Sequence, residues 1–104
     1  MNVTPGKQRN PRQSQDTATL DLTAVKQFLR IDGDYEDAYL RILIMLSLEM
    51  CRNYLRTENL PDCESVKQAQ LLIIGYFFEN RDGDRDGVPS AVFSLLDPYR
   101  KAVF

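Results

Sequence analysis

The sequence predicts an all-α protein, and the spacing of its apolar residues leads to that prediction. Long segments repeat apolar residues at helical spacing, while no segment alternates apolar and polar residues as a strand would. Short polar connections with helix-capping residues separate these segments. We therefore expect a small bundle of two long antiparallel helices, with a short N-terminal helix, a short C-terminal helix and flexible termini.

The first two helices are predicted from a capping residue followed by apolar residues at helical spacing. Thr23 is expected to cap a short helix from Ala24 to Arg30. Asp34 is expected to cap a second helix from about Tyr35 to about Arg56. The apolar arc of this second helix is about 200° wide, whereas a surface helix needs little more than about 100°. Met45 nevertheless falls within its polar stripe, either as a harmless exposed side chain or as a contact with another subunit.

The third helix is predicted to be unusually apolar. Asp62 is expected to cap it, and it should run from Cys63 to about Asn80. Its second half, Leu71 to Phe78, is apolar on every side and must therefore be buried on every side. Either this helix is the axis of a tight bundle or neighbouring subunits complete its burial. A last short helix, Ser90 to Leu96, should stop before Pro98.

The chain of 104 residues is long enough for one domain with a modest core. Residues 1–19 are polar, contain two prolines and are expected to form a flexible arm. Residues 20–104 are expected to form a single α-helical domain. Lys7, Arg9 and Arg12 make the arm mildly basic, so it could become ordered on an acidic partner.

Composition excludes several classes of function. The chain has no histidine and a net charge of -2, which argues against a histidine-based catalytic triad and against a dedicated DNA-binding domain. We therefore expect a protein that is not an enzyme. Cys51 and Cys63 are expected to be free thiols, and two cysteines without histidine make no zinc site. No cofactor is expected.

The N-terminus shows no secretory signal, and no apolar run approaches the roughly 20 residues that span a membrane. Synthesis and use in a cytoplasm are therefore expected. The loop from Asp82 to Gly87 matches the first half of a calcium-binding EF-hand loop. Phe93, however, stands where the twelfth position requires a glutamate. A solvated turn is the better interpretation of this loop.

Several segments, in their order and spacing, resemble the small head-tail connector (adaptor) proteins of tailed bacteriophages. The resemblance runs from about Thr23 to Arg100, and no single motif decides it. The two most specific segments are Tyr76-Phe77-Phe78-Glu79-Asn80-Arg81 and Leu95-Leu96-Asp97-Pro98-Tyr99-Arg100.

The resemblance implies a helical subunit of a homo-oligomeric ring in the virion, made in the cytoplasm of the host bacterium. Such a ring lies beneath the portal protein, joins the DNA-filled head to the tail and extends the DNA channel. It is expected to match a twelve-fold portal and to receive a stopper or tail-terminator protein on its tail side. DNA passes through the lumen without sequence-specific binding.

Ring or partner contacts are expected to use the surplus apolar surface and the C-terminal segment. The expected contact residues are Met45, Leu48, Ile74, Phe77, Phe78, Tyr99, Arg100 and Phe104. The alternative is a non-structural helical module that binds one partner protein. It explains the helices and the apolar surplus equally well, but not the order of the segments that carry the resemblance.

Overall fold

The computed structural model describes residues 20–100 of the chain. The predicted arm, with Lys7, Arg9 and Arg12, lies outside the described residues, as does Phe104. Within the described range the protein is entirely helical, without a strand, which confirms the predicted fold class. The helices are α1 (Leu22–Leu29), α2 (Asp37–Leu55), α3 (Glu64–Glu79) and α4 (Ser90–Leu96), with short 3₁₀ helices at Arg85–Gly87 and Asp97–Tyr99.

The N-cap of helix α1 lies two residues before the predicted one. Asp21, not Thr23, is the N-cap, and its Oδ1 accepts a hydrogen bond of 2.8 Å from the backbone N–H of Ala24. The prediction for Thr23 was wrong because Asp21 is an equally good cap and its use lets Leu22 enter the helix. Arg30 ends α1 in the left-handed conformation, with φ of 61°.

Helix α2 begins at Asp37, so the predicted start at Tyr35 and the predicted cap at Asp34 were wrong. The residue before the helix, Glu36, makes no side-chain capping bond. Asp37 instead accepts a hydrogen bond of 2.8 Å from Lys26 Nζ, and this ion pair joins the start of α2 to α1. The start of α2 is therefore marked by a contact with α1 and not by a side-chain cap.

Helix α3 begins at Glu64, and Cys63 precedes it without a side-chain capping bond. Asp62, the predicted cap, lies one residue too far from the helix to cap it. Its carboxylate is 3.7 Å from Lys67 Nζ. The helix ends at Glu79, and Asn80 donates its backbone N–H to the carbonyl of Tyr76 at 2.9 Å.

Residues later in α2 contact residues earlier in α3. The Tyr39 hydroxyl donates to the carbonyl of Phe77 at 3.3 Å, and Gln70 Nε2 donates to Ser47 Oγ at 3.2 Å. The buried side chains form two clusters around this contact. The first is Cys51, Leu55, Val66, Ala69, Ile73, Val88, Val92 and Leu96. The second is Leu20, Val25, Leu40, Leu43, Ile44 and Ile74.

The second half of α3 lies between these clusters, which explains its apolar circumference. Ile73 belongs to the first cluster and Ile74 to the second, and both are almost fully buried. Burial of one such side chain stabilises the fold by about 1.5–3 kcal/mol. On its remaining side α3 meets α1 at Gly75, where an added Cβ would make an ordinary contact of 3.4 Å with the ring of Phe28. The chain itself thus supplies most of the burial that α3 requires.

Two glycines of the loop after α3 pack closely against Tyr76. Gly83 and Gly87 both lie against the Tyr76 hydroxyl, where a Cβ on either residue would clash. Asp84 Oδ1 accepts a hydrogen bond of 3.1 Å from the N–H of Asp86 and so caps the first 3₁₀ helix. Close packing of the glycines and the Asp84 cap account for the Asp-Gly pattern of this loop. Within residues 20–100 no group of three or more metal-binding side chains occurs.

Candidate interaction surfaces

The outer face of α2 carries an exposed apolar pair. Ile42 and Met45 are 62% and 65% exposed, and their spacing of three residues places them side by side on the helix. The exposed charged residues Arg41 and Glu49 flank them. Sequence analysis singled out Met45 but missed Ile42, although a helical projection places the two only about 60° apart. Within the described chain Phe28, Tyr35 and Tyr99 are the other exposed large hydrophobic side chains, and Tyr35 is the most exposed of all.

Two of the expected contact residues lie in the interior instead. Leu48 is 5% exposed and Ile74 is 0% exposed. Ile74 belongs to the second cluster and Leu48 is buried on α2, so both stabilise the subunit itself. Their side chains are not accessible to a neighbouring molecule in this conformation.

Phe77 and Phe78, also expected to be contact residues, are half-buried. Phe77 packs against both core clusters and meets Tyr76 edge-on, with ring centroids 4.8 Å apart. Phe78 packs against Tyr39 at a centroid distance of 6.4 Å. Each ring therefore supports the core and remains partly exposed.

Arg81 fastens the end of α3 to the start of α2. Its guanidinium carbon lies 4.2 Å from the ring centroid of Tyr39 and 5.8 Å from that of Phe78. The same group is 3.3 Å from the Glu36 carboxylate. Cation–π contacts at exposed sites contribute about 0.5–1 kcal/mol each. The aromatic-Glu-Asn-Arg segment thus has a clear structural role in this chain.

The Leu95–Arg100 segment is held against the end of α2. The Tyr54 hydroxyl donates a hydrogen bond to Asp97, and the Arg100 guanidinium carbon lies 4.5 Å from the Tyr54 ring centroid. The hydrogen bond to Asp97 is the largest cause of a raised pKa of Tyr54. Phe93 completes the contact, with its ring centroid 5.0 Å from that of Tyr54. Tyr99, an expected contact residue, is 40% exposed.

A groove of about 410 Å³ lies between α2 and the loop after α3. Its lining combines apolar side chains with charged and polar ones. The lining residues are Leu46, Glu49, Met50, Asn53, Phe77, Gly83, Asp84 and Arg85. A second groove, of about 460 Å³, borders α1 and the turn that follows it, and Lys26 and Arg30 are among its lining residues. The Lys26 charge is already paired with Asp37.

The described groups offer little chemical reactivity. Cys51 is buried, and desolvation raises the pKa of its thiol to about 12, so the thiol is uncharged at neutral pH and unreactive. Cys63 is a free, half-buried thiol. Gln70 is fully buried beside Ser47, and its Oε1 has no hydrogen-bond partner. Within residues 20–100 no helix is long and apolar enough to cross a membrane.

Residues 20–100 therefore form a small all-helical domain with an exposed apolar pair on α2 and two surface grooves. A family model described as phage gp6-like head-tail connector protein matches residues 19–100. The chain therefore belongs to this family of phage head-tail connectors, which are structural rather than enzymatic proteins of the virion. No curated protein and no solved structure matches the chain.

Proposed function

We propose that the protein forms a ring beneath the portal, joins the DNA-filled head to the tail and extends the DNA channel. The family match over residues 19–100 carries this proposal, since it includes both segments that fasten the subunit together around Arg81 and Tyr54. The ring would have the twelve-fold symmetry expected of a portal. It would receive a stopper or tail-terminator protein on the tail side, after synthesis in the host cytoplasm.

Contacts between neighbouring subunits are proposed to centre on the exposed face of α2. Ile42 and Met45 supply apolar surface there, and Arg41 and Glu49 supply charges of both signs beside it. An interface with an apolar centre and a charged rim is the usual arrangement between protein subunits. Leu48 and Ile74 would act indirectly, by keeping α2 and α3 together.

The ends of the chain are proposed to contact the portal or the tail-side partner. Tyr99 and Arg100 mark the C-terminal side, where Tyr99 is exposed and Arg100 lies on Tyr54. Phe104 and the arm with Lys7, Arg9 and Arg12 belong to the same proposal, with residues 1–19 as an arm and residues 20–104 as the domain. Segments of this kind often become ordered only when they bind.

The channel is proposed to conduct DNA without holding it. A protein that neutralises many phosphates binds DNA tightly, which would slow its passage. The net charge of -2 on this chain fits a lumen along which DNA slides. Sequence-specific contacts to bases are not part of the proposed mechanism.

A phage mutant that lacks this protein tests the proposed connector function. The proposal requires DNA-filled heads without tails from the mutant, restoration of tailed particles by the wild-type chain, and the protein itself in purified virions by mass spectrometry. If tails still join the mutant heads, the connector role is wrong. If the protein acts but is absent from virions, the non-structural helical module is the better explanation.

A further inference from the structure

The exposed face of α2 carries opposite charges on the two sides of its apolar pair. Arg41 precedes Met45 by about one helical turn, and Glu49 follows Met45 by the same interval. All three side chains are exposed. The ion pairs within residues 20–100 involve neither Arg41 nor Glu49. Both charges on this face are therefore available to another molecule.

The direction of a second α2 laid on this face decides whether the charges attract or repel. In an antiparallel pair centred on Met45, Arg41 of each copy lies opposite Glu49 of the other copy. The contact then contains two ion pairs related by symmetry. In a parallel pair each charge would lie opposite the same charge, and the two copies would repel each other. The face is thus complementary to an antiparallel copy of itself.

The two ends of α2 follow the same rule. Asp34, in the turn before the helix, stands as many positions before Met45 as Arg56 stands after it. Both side chains are exposed, and neither belongs to an ion pair within the described residues. Antiparallel pairing brings the acidic start of one α2 near the basic end of the other. The ends of the helix therefore favour the same direction as its middle.

Ile42 and Met45 give such a contact an apolar centre. Both side chains are exposed, and their spacing of three residues places them side by side. Two copies would bring four apolar side chains together, with ion pairs around them, which is the usual arrangement of a protein interface. The apolar centre is small, so the association is expected to be weak and reversible.

We propose that α2 binds α2 of a second copy in an antiparallel, two-fold symmetric dimer centred on Met45. A two-fold contact uses the same surface of both copies, whereas a ring of more than two subunits needs contacts between different surfaces. The dimer therefore covers the face proposed for ring contacts, and the free protein must dissociate before it assembles. This consequence rests on the proposed connector function, but the dimer itself does not.

Exchange of charges tests the antiparallel pairing. Arg41→Glu places a carboxylate opposite Glu49, and Glu49→Arg places a guanidinium opposite Arg41, so each variant alone should be monomeric. An equimolar mixture of the two variants should form a heterodimer, because both contacts between unlike chains are then attractive. Because the contact is weak, sedimentation velocity is measured at about 1 mM. A monomeric mixture, a monomeric wild type, or a single variant that dimerises as well as the wild type would overturn the proposal.

A disulfide test locates the centre of the dimer. In a Cys63→Ser background, Met45→Cys places a cysteine of each copy at the two-fold axis, while Cys51 is buried. Gln68→Cys, at an exposed position of α3, replaces Met45→Cys in the matched control. Mild oxidation should link most of the Met45→Cys protein and little of the control into a dimer on a non-reducing gel. Equal linkage of both variants would contradict a centre at Met45.

Binding to tailless, DNA-filled heads separates the role of the dimer from the connector function. The oxidised Met45→Cys dimer should add no ring of density to the portal, and reduction should restore the ring. A ring formed by the oxidised dimer would overturn the block on assembly. No ring with the wild type either, under conditions where tails can still join those heads, would instead contradict the connector function and leave the sedimentation result standing.

Discussion

At the scale of single residues, the glycines of this chain differ in what they do. Gly75 gives α1 room, but an added Cβ would still make an ordinary contact of 3.4 Å with Phe28. Gly87 has no such room, because an added Cβ would clash with the hydroxyl and ring of Tyr76. The identity of the residue is therefore required by packing at Gly87 and merely allowed at Gly75.

Alanine at these two positions should have opposite effects. Gly75→Ala should leave the free energy of unfolding unchanged or raise it by up to about 1 kcal/mol, because alanine favours the helix. Gly87→Ala should lower it by about 1–3 kcal/mol, because Tyr76 must shift. Urea denaturation of both variants measures the difference. Equal stabilities would show that the loop does not pack on Tyr76 as described.

The buried pair of Ser47 and Gln70 is the polar exception within the core. Ser47 Oγ donates to the Ile44 carbonyl at 2.7 Å and accepts from Gln70, while Gln70 Oε1 is left without a partner. A buried unpaired polar group costs about 1–3 kcal/mol. Nothing in the sequence marked this pair, because each residue alone is ordinary within a helix.

Substitution of Ser47 alone, and of Ser47 together with Gln70, should show what the buried polar pair contributes to the free energy of unfolding. Ser47→Ala alone should lower the free energy of unfolding by about 1–3 kcal/mol, because Gln70 Nε2 then loses its acceptor. Ser47→Ala combined with Gln70→Leu should recover that loss or exceed it, because no buried polar group remains. Thermal and urea denaturation of the single and double variants provide the comparison. A double variant less stable than Ser47→Ala would contradict this assignment.

At the scale of helices and turns, the sequence predicted all four α-helices of residues 20–100 and placed the last one correctly. The capping residues were wrong for α1, α2 and α3. Thr23, Asp34 and Asp62 are each good caps in isolation. The second helix instead begins at Asp37, which pairs with Lys26, and Asp62 lies near Lys67. These contacts arise from the packing of helices or from the exact helix start, which a local pattern does not contain. The exposure of Ile42 was missed for a related reason, since the arc that faces the core depends on where the partner helices lie.

The contact between α2 and the C-terminal segment should depend on pH. The hydrogen bond to Asp97 raises the pKa of Tyr54 above its ordinary value near 10. The folded state therefore favours the protonated phenol, and this stabilisation is present below pH 10 and is lost as pH rises through the higher folded pKa. During an alkaline titration of the wild type, Tyr54 should contribute tyrosinate absorbance above its ordinary pKa, and that contribution should be missing in Tyr54→Phe. An unchanged titration end point in that variant would contradict the contact.

The exposed pair on α2 should govern association rather than folding. Ile42→Lys combined with Met45→Lys should retain the helical circular dichroism and thermal midpoint of the wild type, because both side chains are already exposed. The same variant should fail to form rings, since it places two cations in the apolar centre of the proposed interface. Gln68→Lys, on an exposed position of α3, is the matched control. Ring formation by the double variant would remove this face from the proposed interface.

At the scale of the whole molecule, the helices of one subunit bury its core, whereas several large apolar side chains on its surface stay exposed. The chain's own helices bury Ile73 and Ile74, so neighbouring subunits are not needed to complete the core around them. The proposed contact with a neighbour is the face of Ile42 and Met45, which is exposed. The family could be inferred from the order of segments, whereas the choice of candidate interface residues required the exposure of each side chain.

Electron microscopy of tailless, DNA-filled heads mixed with the purified protein tests the connector account most directly. The proposed connector function predicts a new ring of density on the portal vertex. This ring should be absent when the Ile42→Lys and Met45→Lys double variant replaces the wild type. An unchanged portal vertex, under conditions where tails can still join those heads, would contradict it.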